Sequence, residues 1–397
     1  MITIQSAESA LKNIFLESAI NDINTKTNPF LAMINKNTKT ASSKEARSYI
    51  RYGNRGSVVV GEEGGELPVN AGAKTIEIVT PLKNLYGTFQ ITDKAIRAAQ
   101  NNAGAFANLL AGEMKNLVAS AQLNLNQMLF GNGMNYLGHT EAHNFTNKNL
   151  TLPARYIGNF KVGDTFKLLN ANNVVVGESL EVASITDNVI NFTGATIIDN
   201  RDRFYLYSLE DESQNLNGID AIFRSDKMYN LTPQQFAPIK PYIKTSTSTT
   251  TGSVAVTESE IFDFLNKIED AVECNPIDVI MTHLNVRRAI YNELRGTHAN
   301  AETDVKKSGV TTLTFNGVPV YADSKCKGGT AYALSSDNWA IHQLCDWTWL
   351  SGDDGGVLAR IDGKAGYSAS LVKYADLLCS NPAFQGKMTL YSANKVV

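Results

Sequence analysis

Glu62, Glu63 and Glu66 lie within a few residues of one another in the run GNRGSVVVGEEGGELP, where clustered carboxylates could share acid and base roles or gather a cation. The run has no GxGxxG order after a strand and no GxxxxGK[ST] segment, so it is not built to cradle a phosphate. Gly61, Gly64 and Gly65 suit a loop that needs positive φ, and Pro68 closes it. Charge runs are usually solvated faces, and the plainer reading is a surface loop whose carboxylates meet Lys or Arg of a neighbouring subunit. His139 and His143 are four apart, but HTEAH is not HExxH and Gly138 marks a turn, so no metal site is expected. His283, His298 and His342 stand alone, and neither a GxSxG elbow nor a recognised cysteine nucleophile motif accompanies them.

Trp339, Trp347 and Trp349 with Asp346, Asp353 and Asp354 have the composition of a carbohydrate cleft, in which two carboxylates flank a glycosidic bond. The alternation of Trp347 and Trp349 instead puts both rings on one face of a strand that packs into a core, and DDGG after them is a turn. The residues that could do chemistry thus give no catalytic centre, no cofactor and no metal, and the chain is not expected to be an enzyme.

With 397 residues, 43% hydrophobic and 19% charged, the chain can build two or three compact modules. A net charge of -3 argues against a protein that wraps or reads nucleic acid through a basic surface. The four cysteines, Cys274, Cys326, Cys345 and Cys379, form no CxxC pair and are expected as reduced core residues. The N-terminus lacks a basic flank followed by an apolar run, and no stretch of about 18 apolar residues occurs, so neither export nor a membrane is indicated and folding in bacterial cytoplasm is expected.

The elements that would position these residues follow from periodicity. Residues 6–20 carry Leu11, Ile14 and Phe15 at helical spacing, and the polar stretch 35–48 is expected to order only against a partner. From Tyr52 to Thr92 the chain is extended: Ile76, Ile78, Thr80 and Leu82 alternate, then Leu85, Gly87, Phe89 and Ile91, with a bend near Lys83-Asn84 between the phases. Phe106, Leu109, Leu110, Met114, Leu117, Ala121, Leu125 and Met128 follow a 3.6 period to Phe130, a rod of about 37 Å that Gly131-Asn132-Gly133 ends.

Residues 139–210 alternate short apolar runs with GD, NANN, TDN and DNRD turns, the texture of a small all-β barrel or sandwich. KTSTSTTTGS at 244–253 reads as a flexible junction. The last unit opens on the capping box Thr257-x-x-Glu260 and a helix carrying Ile261, Phe264, Leu265, Ile268 and Val272. A buried strand over 277–281, a helix capped by Asn285, and LTFNGVPVY with a type I′ turn at Asn316-Gly317 come next, before the strands TAYAL and YSASLVKYADLLC; the unit is α+β.

This order, with EEGGELP, LKNLYGTFQIT, FNGVPVYAD followed by GGTAYAL, and YADLLCSNPAFQGKM, resembles the tailed-bacteriophage major capsid proteins of the Hong Kong 97-like fold. The resemblance covers nearly the whole chain outside 139–210. It implies an N-terminal arm over 1–52, an extension loop over 53–85, a peripheral domain with its spine helix over 86–138, an inserted β-rich domain over 139–210, a peripheral return and linker over 211–256, an axial domain over 257–380 and a C-terminal peripheral strand over 381–397. Gly61, Glu62, Glu63, Gly64, Gly65, Glu66 and Pro68 would then be inter-subunit residues of the loop, and Phe106, Leu110, Met114, Leu117 and Leu125 the stiffening face of the spine.

The function implied is a coat protein that forms hexamers and pentamers with itself in an icosahedral or prolate head, enclosing double-stranded DNA without reading its sequence. Partners would be a portal and a decoration protein; because no scaffolding segment of about a hundred residues stands ahead of the arm as in some relatives, the resemblance implies a separate scaffolding protein or none. An encapsulin-like nanocompartment shell is the alternative in the same fold, and a carbohydrate-binding or carbohydrate-active protein the alternative in another class. Some relatives join subunits by a Lys to Asn isopeptide bond; Lys74 lies in the loop, but no matching Asn and Glu stand out, and covalent multimers are not expected.

Overall fold

The structure is a computed structural model and describes residues 29–38, 44–52, 74–94, 103–170, 172–194, 204–209, 215–248, 255–272, 274–297, 303–305, 311–350 and 357–392. After helix α1 (Pro29–Met33) come strands β1 (Asn35–Asn37), β2 (Glu45–Tyr52), β3 (Lys74–Pro81) and β4 (Lys83–Thr92). The two alternations belong to two sheets. β3 pairs antiparallel with β2, burying Ile78 and Thr80 beside Ala46 and Ile50, and the phase change at Leu82 hands the chain to β4, which buries Leu85, Phe89 and Ile91. The ribbon therefore begins earlier than expected. Glu45–Tyr52, assigned to the arm, is the partner strand of β3, because its own period-two pattern supplies a buried face that matches β3 residue for residue.

Helix α2 (Ala103–Leu129) has 27 residues and is about 40 Å long at ~1.5 Å per residue. Its buried side chains divide: Met114 packs with Phe89, Ile91 and Ala369, while Val118, Ala121, Leu125 and Leu129 enter the largest core. Gly87 lets the helix approach β4 closely, since a Cβ there would stand 3.0 Å from Leu117 Cδ1. At the far end the Asp220 amide donates to the Gly131 carbonyl at 3.1 Å, and a Cβ on Gly218 would fall 2.2 Å from the Met128 carbonyl oxygen. Only glycine lets that return segment close over the helix's exposed carbonyls.

Strands β5 (Tyr136–His139), β6 (Ala142–Asn144), β7 (Asn149–Thr151), β8 (Thr165–Asn170), β9 (Val175–Thr186), β10 (Val189–Thr193) and β11 (Phe204–Ser208), with helix α3 (Ala154–Ile157) between β7 and β8, form one antiparallel sheet in the order β5-β11-β8-β9-β10-β7-β6. It closes around its own core of Leu150, Phe166, Leu168, Leu180, Ile190, Phe204 and Leu206. This is the segment in which short apolar runs alternate with turn residues.

Beyond helix α4 (Pro233–Phe236) the chain forms β12 (Tyr242–Ser248), α5 (Glu258–Val272), β13 (Val279–Thr282), α6 (Leu284–Thr297), β14 (Thr303–Val305), β15 (Thr311–Phe315), β16 (Val318–Ala322), β17 (Thr330–Leu334), β18 (Trp339–Trp349), β19 (Ala359–Arg360), β20 (Gly366–Cys379) and β21 (Gly386–Ser392). Strands from outside 257–380 join strands inside it. A seven-stranded sheet runs β12-β21-β17-β13-β16-β15-β14, so it recruits 242–248 and 386–392, while β18 and β20 leave it to make a second sheet with β1, β4 and β19. Residues 244–248, expected as a flexible junction, are a strand because β12 lies parallel to β21 in unbroken register and the Lys244 ammonium donates to the Glu260 carbonyl at 2.9 Å. β20 is central to the second sheet, pairing β4 along one edge and β18 along the other.

Two local signals in this unit are met, the capping box and the hairpin turn. Thr257 N donates to Glu260 Oε2 at 3.0 Å and Glu260 N to Thr257 Oγ1 at 3.3 Å, a reciprocal capping box. Thr257→Ala is expected to cost about 1 kcal/mol, read as a lower urea midpoint with unchanged slope. Asn316 and Gly317 have φ of 48° and 77° between paired Phe315 and Val318, the type I′ hairpin. Asn285 does not cap α6. His283 precedes the helix, its Nδ1 accepting from Asn285 N at 3.3 Å and its carbonyl from Val286 and Arg287. Among the cysteines, Cys326 and Cys379 are buried, but Cys274 is exposed and Cys345 half-buried, so the core reading holds for two of the four.

Candidate assembly interface

Gly61, Glu62, Glu63, Gly64, Gly65, Glu66 and Pro68 lie outside the described residues, which resume at Lys74. Their flanks are β2 and β3, whose register runs from Glu45 opposite Pro81 to Tyr52 opposite Lys74. Phe106 and Leu110 lie on α2; Met114 and Leu125 are buried and Leu117 half-buried against β4. The outward face of the ribbon is polar and aromatic. Arg47 pairs with Glu77 at 3.0 Å and Glu45 at 3.1 Å, and Tyr49, 66% exposed, donates its hydroxyl to Glu77 at 3.0 Å.

What holds the root of this ribbon is a buried carboxyl in β20. Asp376 accepts from the Thr80 hydroxyl of β3, from Asn217 N at 2.8 Å and from Asn217 Nδ2 at 2.7 Å; Asn230 Oδ1 accepts from Val79 N at 2.9 Å alongside. Burial pushes the Asp376 carboxyl from 3.8 up to about 6, against the hydrogen bonds from Thr80 and Asn217 and the charge of Lys83. The folded chain then binds this proton more tightly than the unfolded one. The group's contribution is fully present below pH 3.8 and is lost as pH rises through about 6, a loss of about 3 kcal/mol at ~1.4 kcal/mol per unit. Asp376→Asn is expected to remove that slope when chemical unfolding is compared at pH 4 and pH 7; identical pH dependence in both chains would refute it.

A second buried junction joins the two seven-stranded sheets. Asp220, in the return segment behind α2, contacts the Lys327 ammonium, accepts from Lys387 Nζ at 2.6 Å and from the Tyr332 hydroxyl at 3.1 Å. Lys327 also donates to Asn173 Oδ1 at 2.7 Å and lies 4.9 Å from the Tyr205 ring centre. Burial alone would raise the Asp220 carboxyl, but the two ammonium groups outweigh it and hold it well below the carboxylate range. Burial likewise opposes the charge on both lysines; Asp220 overcomes it at Lys327, while Lys387, repelled by Lys327, is pushed down to about 8. No periodicity argument finds these groups. The signal available was a carboxylate inside the apolar run IDAIF and a lysine beside MTLY.

The remaining candidates are used for packing. Trp339 is fully buried, stacks edge-on to Phe30 at 6.0 Å and donates to Gln385 Oε1 at 3.1 Å; Trp349 meets Phe89 edge-on at 6.0 Å. Asp346 is held by Lys36 at 2.9 Å and Lys373 at 2.6 Å. Asp353 and Asp354 lie outside the described residues. His139 Nδ1 and the Tyr136 hydroxyl are 2.7 Å apart, and His143 lies between Phe145 and Phe204. Among the described residues no group of three His, Cys, Asp or Glu is placed to hold a metal ion, and no helix is long and apolar enough to cross a membrane.

No family model matches the chain, and no curated protein does. Solved structures do. A chain of the Cyanophage A-1(L) capsid asymmetric unit aligns over 91% of this chain and 92% of its own, with a TM-score of 0.55 at 12% identity. This chain has a capsid-protein fold. Two further matches are a chain of the satellite phage P4 procapsid (TM-score 0.45, 11% identity, 98% and 97% covered) and one of the holo-SrpI encapsulin complex from Synechococcus elongatus PCC 7942 (0.44, 10%, 91% and 87%). The match spans the mixed sheets and few helices over almost the full length.

Proposed function

We propose that the chain is a tailed-phage major capsid subunit, a non-enzymatic structural protein of the virion that assembles with copies of itself into a shell around double-stranded DNA. The observation that carries the reading is the capsid fold, shared over more than nine-tenths of both chains. The ordered phrases from EEGGELP to YADLLCSNPAFQGKM support it independently of the coordinates. In the finer assignment, residues 53–85 form an extension loop that lies across a neighbour, the β2–β3 ribbon is its root, and α2 is the spine of a peripheral domain. Portal, scaffolding and decoration proteins would be the partners.

Many repeated contacts can sum to a stable shell although each is weak. A net charge of -3 suits a container for DNA, which needs to enclose phosphates without gripping them. Negative-stain microscopy of the purified chain tests the reading. Closed shells are expected. A persistent glycan-binding monomer would overturn it, and shells that recruit protein cargo and never a genome would replace it with the nanocompartment reading.

A further inference from the structure

We propose that Asn132 and Gly133 close on each other as a succinimide, a retained five-membered imide at the turn between α2 and β5. The sequence has three Asn-Gly pairs, Asn132-Gly133, Asn217-Gly218 and Asn316-Gly317, and a glycine leaves its own amide open to the preceding side chain because it carries no Cβ. Their surroundings separate the three. Asn316 stands exposed at the tip of its hairpin. Asn217 is held by its side-chain nitrogen, which donates to Asp376 Oδ2 at 2.7 Å and to Thr80 Oγ1 at 3.1 Å. Asn132 has no exposed surface, and its Nδ2 has no hydrogen-bond partner among the described residues.

The Asn132 carboxamide is set for attack by the next residue. Its Oδ1 accepts from Met134 N at 3.2 Å, and the ring closed by that hydrogen bond contains both Asn132 Cγ and Gly133 N. Because an amide N–H can donate only to the oxygen, the same bond fixes which end of the carboxamide carries the nitrogen. It also puts a donor where negative charge develops on Oδ1 during attack. On the backbone side, the buried Arg224 donates from Nη1 to the Asn132 carbonyl oxygen at 3.4 Å. That positive charge draws electrons from the peptide group whose nitrogen is the nucleophile and makes its proton easier to lose. Nδ2 meanwhile is a buried donor without an acceptor, a costly state that expelling it as ammonia ends.

The step balances within the chain. Gly133 N attacks Cγ of Asn132, the N–Cγ bond forms and the Cγ–Nδ2 bond breaks. The proton of Gly133 N passes to Nδ2, which leaves as ammonia, and nothing is oxidised or reduced. Reopening the imide needs water at its carbonyl carbons, and Asn132, Gly133, Met134 and Arg224 are all buried, so the ring persists. The ring removes one backbone torsion where α2 hands the chain to the inserted β unit, beside the contact of Gly131 with Asp220 that closes the helix end. The reaction lies inside one subunit and proceeds whether or not shells form.

Intact-mass spectrometry of the full-length, denatured protein reads the ring directly. The expected mass is about 17 Da below that of the sequence, the loss of one ammonia. Peptic digestion in acid, which preserves imides, should place the loss on the peptide containing Asn132-Gly133 and leave Asn217-Gly218 unchanged. Brief hydroxylamine treatment at neutral pH should split the chain between residues 132 and 133. Asn132→Gln, one methylene too long for a five-membered ring, should keep the full mass and resist hydroxylamine there. An unmodified mass for the wild-type chain, conversion of Asn132 to aspartate with a gain of about 1 Da, or a loss mapped to another pair overturns the proposal without recourse to the variant.

Discussion

Asp220→Ala is expected to lower the unfolding free energy by about 3–5 kcal/mol, the range for removing one partner of a buried ion pair. The substitution leaves Lys327 and Lys387 facing each other among aromatic rings with their common carboxylate gone. Two features separate this from simple loss of a side chain. Relief should appear already as the pH rises toward about 8, because burial and the Lys327 charge push Lys387 down to about 8 even with Asp220 present, and losing that carboxylate lowers it further, so that shedding a proton removes the repulsion. Replacing all three charges together, as Asp220→Leu with Lys327→Met and Lys387→Met, should recover most of the loss, because burying no ion costs less than burying an unpaired one. Guanidinium titrations of the three chains decide it. A penalty under about 1 kcal/mol for Asp220→Ala would mean that the junction does not hold the sheets together.

That junction also marks the boundary of what a single sequence discloses. Signals confined to a few neighbouring residues were legible: the Thr257 and Glu260 box, the Asn316-Gly317 turn, the 3.6 period that became α2, and the alternation that became β4. Each is fixed by local chemistry, so the sequence window contains its cause. Pairings across long separations were not legible. Tyr242–Ser248 looks like a linker because Thr and Ser make no core of their own, and it becomes a strand only beside Gly386–Ser392. Glu45–Tyr52 was placed in an arm because its partner, Lys74–Pro81, lies beyond a glycine-rich excursion. The path of β20 away from β17 and into the β4 sheet follows from ten matched positions on β4, which no spacing rule announces. Asp220 and Asp376 were missed for the same reason: their partners come from β8–β9, β17, β21 and β3, and burial made those partners necessary.

Deleting residues 57–72 is expected to abolish shell formation while leaving a folded, soluble subunit. The fold should survive because the cut falls beyond the paired strands. Tyr52 and Lys74 face each other at the end of the ribbon, and residues 53–56 with 73 remain to connect them, a length within the range of hairpin loops. The buried face of Ile50 and Ile78, and the Thr80 and Asp376 contact at the root, are untouched. Assembly should fail because the deletion removes Gly61 to Pro68, the residues proposed to reach across a neighbouring subunit, and a shell multiplies that loss at every repeat. The two effects are read separately: circular dichroism and a denaturation midpoint close to the parent report the subunit, and size-exclusion chromatography with negative-stain microscopy reports the shell. Particles of normal size from the deleted chain would remove the loop from the assembly mechanism while leaving the capsid fold in place. An unfolded product would instead place residues 57–72 in the stability of the subunit itself, which the ribbon's closed register argues against.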